Sequence, residues 1–272
     1  MTQRVVLVTG ASSGLGKATA ELLASKGYYV YAAARRIDRL ESMRSTNIEP
    51  LGLDVTSEAS IEVAIEHIKA SQERIDVLVN AAGYALYGAL EEVASEKAQH
   101  EFEVNVFGLM RVTQALLPLM RQQRSGRIIN LSSVAGKFVT PFAGWYNASK
   151  FAVEALSDAL RNEVASFGIQ VVVVEPGAIK SEFADIALGG LQDASNLAEY
   201  RGMSRSFAKL VSNSYRNAPG PDIVAKAIFK AITARHPSAR YALPADSSLL
   251  ITLRRLLSDR MIDSLLRSQI KG

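Results

Sequence analysis

The sequence predicts an α/β protein with a doubly wound parallel sheet, and three observations carry that expectation. Short apolar runs recur at 5–8, 29–34, 48–53, 75–79, 128–131 and 169–174, and segments of helical period lie between them. Each run ends in a loop of Gly, Asn, Asp, Ser or Arg; with right-handed crossovers those ends share one sheet edge, where open α/β sheets bind ligands. Finally, 272 residues with 48% hydrophobic and 21% charged content and no break in composition support one domain over 1–272 with a large core.

The first run leads into TGASSGLG at 9–16, then into a helix-period segment at 17–26. Gly10, Gly14 and Gly16 free the backbone for unusual φ angles and let it approach a pyrophosphate at a helix N-terminus, with Ser12, Ser13 and Leu15 in the same loop. A glycine loop can be a plain turn. Here a second strand, 29–34, follows at the spacing of a βαβ dinucleotide unit.

The end of that second strand selects the dinucleotide. An acid about 20 residues beyond the glycines would hold a free ribose diol. Ala34, eighteen residues beyond Gly16 (34 − 16), is followed by Arg35 and Arg36 instead. Arg35 is expected to pair with a 2′-phosphate, making the cofactor NADP(H); Arg36 has a solvent-facing helix start as its alternative. The third strand ends at Asp54 and Val55, where Asp54 could also be a simple turn residue. The fourth ends in NAAG at 80–83, whose small residues, Ala81 and Gly83 among them, allow close approach of a ligand. A long helix is expected over 95–120, with Asn105 among apolar neighbours, where an amide requires partners.

The stretch 127–150 carries the chemistry. An apolar strand delivers Ser132 and Ser133 at its end, and a helix is expected to begin near Trp145. On it Tyr146 and Lys150, four apart, share one face, and Ser133 lies thirteen residues before Tyr146 (146 − 133). An unperturbed phenol has a pKa of about 10. A neighbouring cation and a place in the first turn of a helix both favour the phenolate, so Tyr146 could exchange a proton with a substrate hydroxyl or carbonyl.

From 181 to 218 a weakly amphipathic helical segment, with Gly189, Gly190 and Gly202 as hinges, is expected to be a substrate lid. A helix at 219–235 and a short strand at 240–243 follow. In the C-terminal helical extension, 246–270, an apolar stripe of Leu249, Leu253, Leu256, Leu257, Met261 and Leu265 is expected to pack on this or another subunit rather than on a membrane. A homo-oligomer, dimer or tetramer, is expected. Phe183, Leu188 and Leu191 from the lid, with Phe138, Val139, Phe142 and Trp145, should crowd the approach to Tyr146 and favour an apolar substrate.

Composition excludes several classes. The chain has no cysteine, hence no disulfide framework or thiol chemistry, as suits the cytoplasm. His67, His100 and His236 are dispersed without metal-ligand spacing, so no metal site is expected. The net charge of +4 and pI of about 9.2 come from scattered basic residues, which argues against nucleic-acid binding. The N-terminal apolar run is too short for a signal-peptide core, and none approaches a membrane span.

With TGASSGLG at 9–16, NAAG at 80–83, Asn105 in NVFG, Ser133, the pair Tyr146 and Lys150 in YNASK, and PGAIKS at 176–181, the chain resembles the short-chain dehydrogenase/reductase family over nearly its whole length. The resemblance implies a single Rossmann-type domain with a seven-stranded parallel sheet, and hydride transfer between a nicotinamide and a carbonyl or secondary alcohol. It makes Tyr146 the proton donor or acceptor and gives Lys150 the tasks of lowering its pKa and holding the nicotinamide ribose. Ser133 would bond the reacting oxygen, and Asn105 would help hold a water on the proton path. Asp54, beside Val55, would touch the adenine, and Asn80 with its neighbours the adenosine ribose. Ile179 and Ser181, in the loop that Pro176 and Gly177 open, would face the carboxamide. Two positions depart from the family pattern: Ala81 replaces a common Asn and Ser181 a common Thr. Within the family the chain looks like NADP-preferring members acting on hydroxysteroids, retinoids or acyl-chain ketones. A dinucleotide-binding sensor that kept the fold is the alternative, and the intact Ser133, Tyr146 and Lys150 argue against it.

Overall fold

The computed structural model describes residues 3–192 and 197–270; positions 193–196 of the expected lid lie outside them. Among the described residues the strands are β1 (Val5–Thr9), β2 (Tyr29–Ala34), β3 (Ile48–Gly52), β4 (Val77–Asn80), β5 (Gly126–Leu131), β6 (Ile169–Pro176) and β7 (Arg240–Leu243). They form one seven-stranded sheet in the order β3-β2-β1-β4-β5-β6-β7, every neighbouring pair parallel. The order reverses between β1 and β4, which opens a crevice at their C-terminal ends. The helices are α1 (Gly14–Ser25), α2 (Ile37–Glu41), α3 (Glu58–Gln72), α4 (Ser95–Phe102), α5 (Leu109–Gln123), α6 (Gly144–Val164), α7 (Phe183–Gln192), α8 (Arg201–Arg216), α9 (Asp222–Thr233), α10 (Ala245–Leu256) and α11 (Asp259–Gln269).

The central strands are mostly apolar because both faces are covered, and their two-residue period sorts side chains between two cores. Val6, Val8, Val30 and Val172 pack with Leu23 of α1 and Ile228 of α9 on one face. Val5, Leu7, Ile128 and Val171 pack with Ile65 of α3, Leu116 of α5 and Leu160 of α6 on the other. Each such side chain contributes about 1.5–3 kcal/mol by burial. A third apolar cluster, with Tyr87, Phe142, Tyr146, Leu191 and Phe207, lies over the C-terminal edge of the sheet.

Three expectations about the chain path differ from the structure. The helix expected over 95–120 is interrupted by a π-helical turn, Glu103–Gly108, which carries Asn105 and shifts the phase of everything after it. Gly189 and Gly190 lie inside α7 and Gly202 inside α8, so they are not hinges. Their weak helix propensity is overridden by packing of Ala187, Leu191 and Phe207 in the third cluster. The tail is two helices, because Leu257 is extended and Ser258 starts α11. That break re-phases it: Ile251, Ile262 and Ile270 are buried, while Leu249, Leu253, Leu256, Met261 and Leu265 stay exposed on this chain.

Behind the sheet edge, buried Glu154 of α6 and Glu175 of β6 share two cations. Lys137 Nζ lies 2.8 Å from Glu154, and Arg240 Nε lies 3.0 Å from Glu154 and 3.3 Å from Glu175. Burial first, and repulsion from Glu154 next, push the Glu175 carboxyl up to about 7. Between its ordinary 4.5 and that value the folded chain holds a proton that the unfolded chain has released, so this contribution to stability falls as pH rises through the window. Glu175→Gln, which keeps the neutral form, should flatten that fall by on the order of 1–3 kcal/mol. Thermal melts from pH 5 to 8 check it, and a slope equal to wild type would defeat the assignment.

Candidate active site

The loop from β1 to α1 is built for close approach. Gly10 has φ +67°, and a Cβ there would stand 2.7 Å from the Ala82 nitrogen. At Gly16 a Cβ would be 2.4 Å from the Gly10 carbonyl oxygen, and Gly14 has φ +52°. Ser13, at the N-cap of α1, makes no side-chain capping bond, so the first amides of that helix remain available to an anion. These features fit a dinucleotide pyrophosphate. Thr9, which the sequence did not single out, ties the next strand to this loop: its hydroxyl accepts from the Ala81 and Ala82 amides at 3.1 and 3.2 Å.

A cleft of about 1020 Å³ runs along the C-terminal edge of the sheet. Ser12, Ser13, Gly14, Leu15 and Gly16 line one end, with Arg35 and Arg36 beside them. Arg36 Nη2 donates to Ser12 Oγ at 3.3 Å, so the second arginine turns to the cleft as well. Asp54 and Val55 form the next part of the wall. Burial pushes the Asp54 carboxyl up, but bonds from the Thr56 amide and hydroxyl, 2.9 and 2.7 Å, with Arg35 near, hold it below the usual range. Ala81 and Gly83 also line the cleft.

Asn80 does not put its side chain there. Its Nδ2 donates to Thr113 Oγ1 at 3.0 Å and Asn130 Oδ1 at 2.9 Å inside the core, a strand-locking task imposed by the side of the sheet it occupies. Across the cleft, Pro176 at the end of β6 and Gly177, Ile179 and Ser181 after it line the opposing wall. This loop lies over the glycine loop, since a Cβ on Gly14 would be 3.3 Å from Ser181 Cβ.

Ser133, Tyr146 and Lys150 meet at the centre. Ser133 leaves β5 in extended conformation and caps the short turn Val134–Gly136; its hydroxyl accepts from the Ala135 amide and donates to the Pro176 carbonyl, both at 3.1 Å. Tyr146 stands in the first turn of α6. Burial pushes its phenol well above 10, Tyr87 and Tyr215 push the same way, and the nearby Ser133 hydroxyl opposes them. The direction is opposite to the expected lowering, and desolvation by burial is its largest cause. Lys150 Nζ donates to the Leu131 carbonyl at 2.9 Å and lies 5.8 Å from the centre of the Tyr146 ring. Burial lowers its pKa to about 8, against the pull of Glu101 and Glu154.

Asn105 lies beside these groups, off the cleft wall. Its Oδ1 accepts from the Tyr84 amide at 3.0 Å, and its Nδ2 donates to the Tyr84 carbonyl at 2.8 Å and Ser149 Oγ at 3.1 Å. With both N–H groups engaged, the side chain clamps the loop after β4.

The substrate end is aromatic. The Tyr146 ring centre is 5.6 Å from Phe183 and 6.3 Å from Tyr87, and Phe207 is 5.4 Å from Tyr87. Phe138 lines the cleft, and Leu188 and Leu191 belong to the cluster over it. Phe142 packs in that cluster too, but Val139 is 51% exposed and Trp145 packs on Phe102, so neither crowds Tyr146. Tyr84, Tyr87, His100 and Tyr215 line the cleft without having been read from the sequence. Tyr84 and Tyr87 come from the loop after β4, His100 from α4 and Tyr215 from α8, with no distinguishing local pattern. Among the described residues no acid–histidine group could hold a metal, and no helix is long and apolar enough to cross a membrane.

A parallel sheet with a dinucleotide-shaped crevice at its switch point and a serine, tyrosine and lysine at its centre defines an oxidoreductase of the Rossmann type. The chain belongs to the short-chain dehydrogenase family, whose sequence profile matches residues 4–187. It is 36% identical to the 3-ketodihydrosphingosine reductase of Bacteroides thetaiotaomicron, with 98% of each chain covered. It is 33% identical to the NADPH-dependent 3-dehydrocapnine reductase of Ornithobacterium rhinotracheale, again over 98% of each. A crystal structure of a short-chain dehydrogenase from Streptomyces avermitilis superposes with a TM-score of 0.83 at 33% identity, over 98% of this chain and 96% of the other.

Proposed function

We propose that the protein is an NADPH-dependent reductase of apolar carbonyl compounds. The observation that carries this is a buried phenol, Tyr146, that lines one aromatic cleft together with Ser133 and Lys150. The glycine loop and the N-terminus of α1 would hold the pyrophosphate, Arg35 and Arg36 the 2′-phosphate, and Lys150 the nicotinamide ribose. A bound nicotinamide supplies the hydride. As negative charge develops on the substrate oxygen, the Ser133 hydroxyl stabilises it and Tyr146 gives up its proton. A phenol held above its ordinary pKa is protonated at neutral pH, which suits reduction rather than oxidation. The name of one relative states NADPH dependence, and that of another contains a keto substrate, in keeping with this direction and cofactor.

Following NADPH oxidation across a ketone series of rising apolar length tests the proposal. Specificity should rise by up to about tenfold for every two methylenes buried. Limited proteolysis should show α7 and α8 protected by NADPH with a long ketone. A marked preference for small, charged substrates would sink the proposal.

A further inference from the structure

The turn that Ser133 opens lies directly on α6. Gly136, its last residue, meets that helix so closely that a Cβ there would stand 3.0 Å from both Glu154 Cγ and the Lys150 carbonyl oxygen. Tyr146, Lys150 and Glu154 recur at every fourth residue of α6 and are all buried, so Glu154 continues the face that bears the two reactive groups. Lys137 follows the turn, and its Nζ lies 2.8 Å from Glu154 and 3.8 Å from Glu175. Glu175 immediately precedes Pro176, whose carbonyl accepts the Ser133 hydroxyl at 3.1 Å. Arg240 of β7 grips the same two acids and, through Nη2 at 2.7 Å, Asp158 of α6. The cost of desolvating such charges can exceed their attraction, and Glu154 Oε1 has no hydrogen-bond partner among the described residues, so stability alone does not account for the cluster.

We propose that Lys137 is a positioning residue for the reaction: its ammonium joins Glu154 of α6 to Glu175 of β6 and so fixes the turn of Ser133 against the helix of Tyr146 and Lys150. The link to catalysis rests on Ser133 and Tyr146 facing the reacting oxygen. Lys137 does not line the cleft, so it acts through Ser133 and touches no reactant. The Ser133 hydroxyl depends on two elements at once, accepting from the Ala135 amide inside the turn and donating to the Pro176 carbonyl at the end of β6. Asn147 of α6 also holds this segment, donating to the Ala135 and Phe138 carbonyls, both at 2.9 Å. Those bonds tie the turn to α6 alone. Lys137 adds the tie to β6, so without its ammonium the turn stays attached to the helix but shifts against the Pro176 carbonyl. A small displacement of a group that meets the reacting oxygen is felt in the rate.

The test is amide hydrogen exchange of the whole protein by NMR, read at Ala135, whose amide bonds Ser133 Oγ, with Val30, bonded to the Asn47 carbonyl on β2, as control. Lys137→Met should speed exchange at Ala135 by on the order of tenfold and leave Val30 unchanged. Lys137→Arg, which retains the cation, should restore the slow rate. Unchanged exchange at Ala135 in a folded Met variant, or an equal rise at both amides, overturns the proposal. Should that variant not fold, wild type decides: Ala135 must exchange within about tenfold of Ser132, whose amide bonds the Val174 carbonyl, and faster exchange overturns the proposal. In an enzyme active on a ketone, Lys137→Met should also lower kcat roughly 10- to 100-fold with KM and NADPH affinity nearly unchanged, and Lys137→Arg should recover most of it. A loosened turn with unchanged kcat would make Lys137 a structural tie only and overturn the positioning role. Exchange needs no turnover, so a protein inactive on every carbonyl would remove the reductase assignment and leave the anchoring of Ser133 to be decided by the exchange rates.

Discussion

Tyr146→Phe is expected to lower kcat by about 10²–10⁴-fold with little change in fold or NADPH affinity. Only a hydroxyl is removed, and the ring keeps its packing on Phe183 and Tyr87. Losing the phenol removes both the proton and one of the two hydroxyls that face the developing oxyanion; Ser133 alone can bond that oxygen but is a poorer acid. Lys150→Met should weaken both turnover and cofactor binding, because the ammonium is placed between the Leu131 carbonyl and the cleft. Steady-state kinetics on a validated ketone, with NADPH titrated by fluorescence, separates the two outcomes. Substantial turnover by the Phe variant would show that another group donates the proton.

Arg35→Ala should weaken NADPH binding by roughly 10- to 100-fold and leave NADH binding almost unchanged. A guanidinium paired with a phosphate is a charge-assisted bond worth about 1.5–3 kcal/mol, which is that range of affinity. Ala34, at the end of β2, leaves room where an acid would repel a 2′-phosphate. Arg36 adjoins the same part of the cleft, held at Ser12, so the double variant should lose more than either single one. Isothermal titration of both cofactors into each protein measures this. Equal affinities in wild type would refute the NADP preference.

By itself the sequence determined the strands, the order of the elements and the loops that meet at the sheet edge. Apolar runs of period two or continuous burial, glycines where a Cβ would strike backbone, and Tyr146 four residues before Lys150 are all signals written within a few residues of one another. Seven parallel strands then place their C-terminal loops on one edge by topology alone, so a candidate cleft could be read before any distance was known. What only the tertiary structure decided are quantities that depend on partners distant in sequence. The Tyr146 pKa rises first because the apolar cluster around it removes water, with Tyr87 and Tyr215 pushing the same way, and no local pattern reports that desolvation. The Asn80 and Asn105 side chains turn their N–H groups to Thr113, Asn130, Tyr84 and Ser149 because buried donors are paired with whatever the packing brings near. The same holds for the tail, where the extended Leu257 and Ser258 exchange the face that packs for the face that does not.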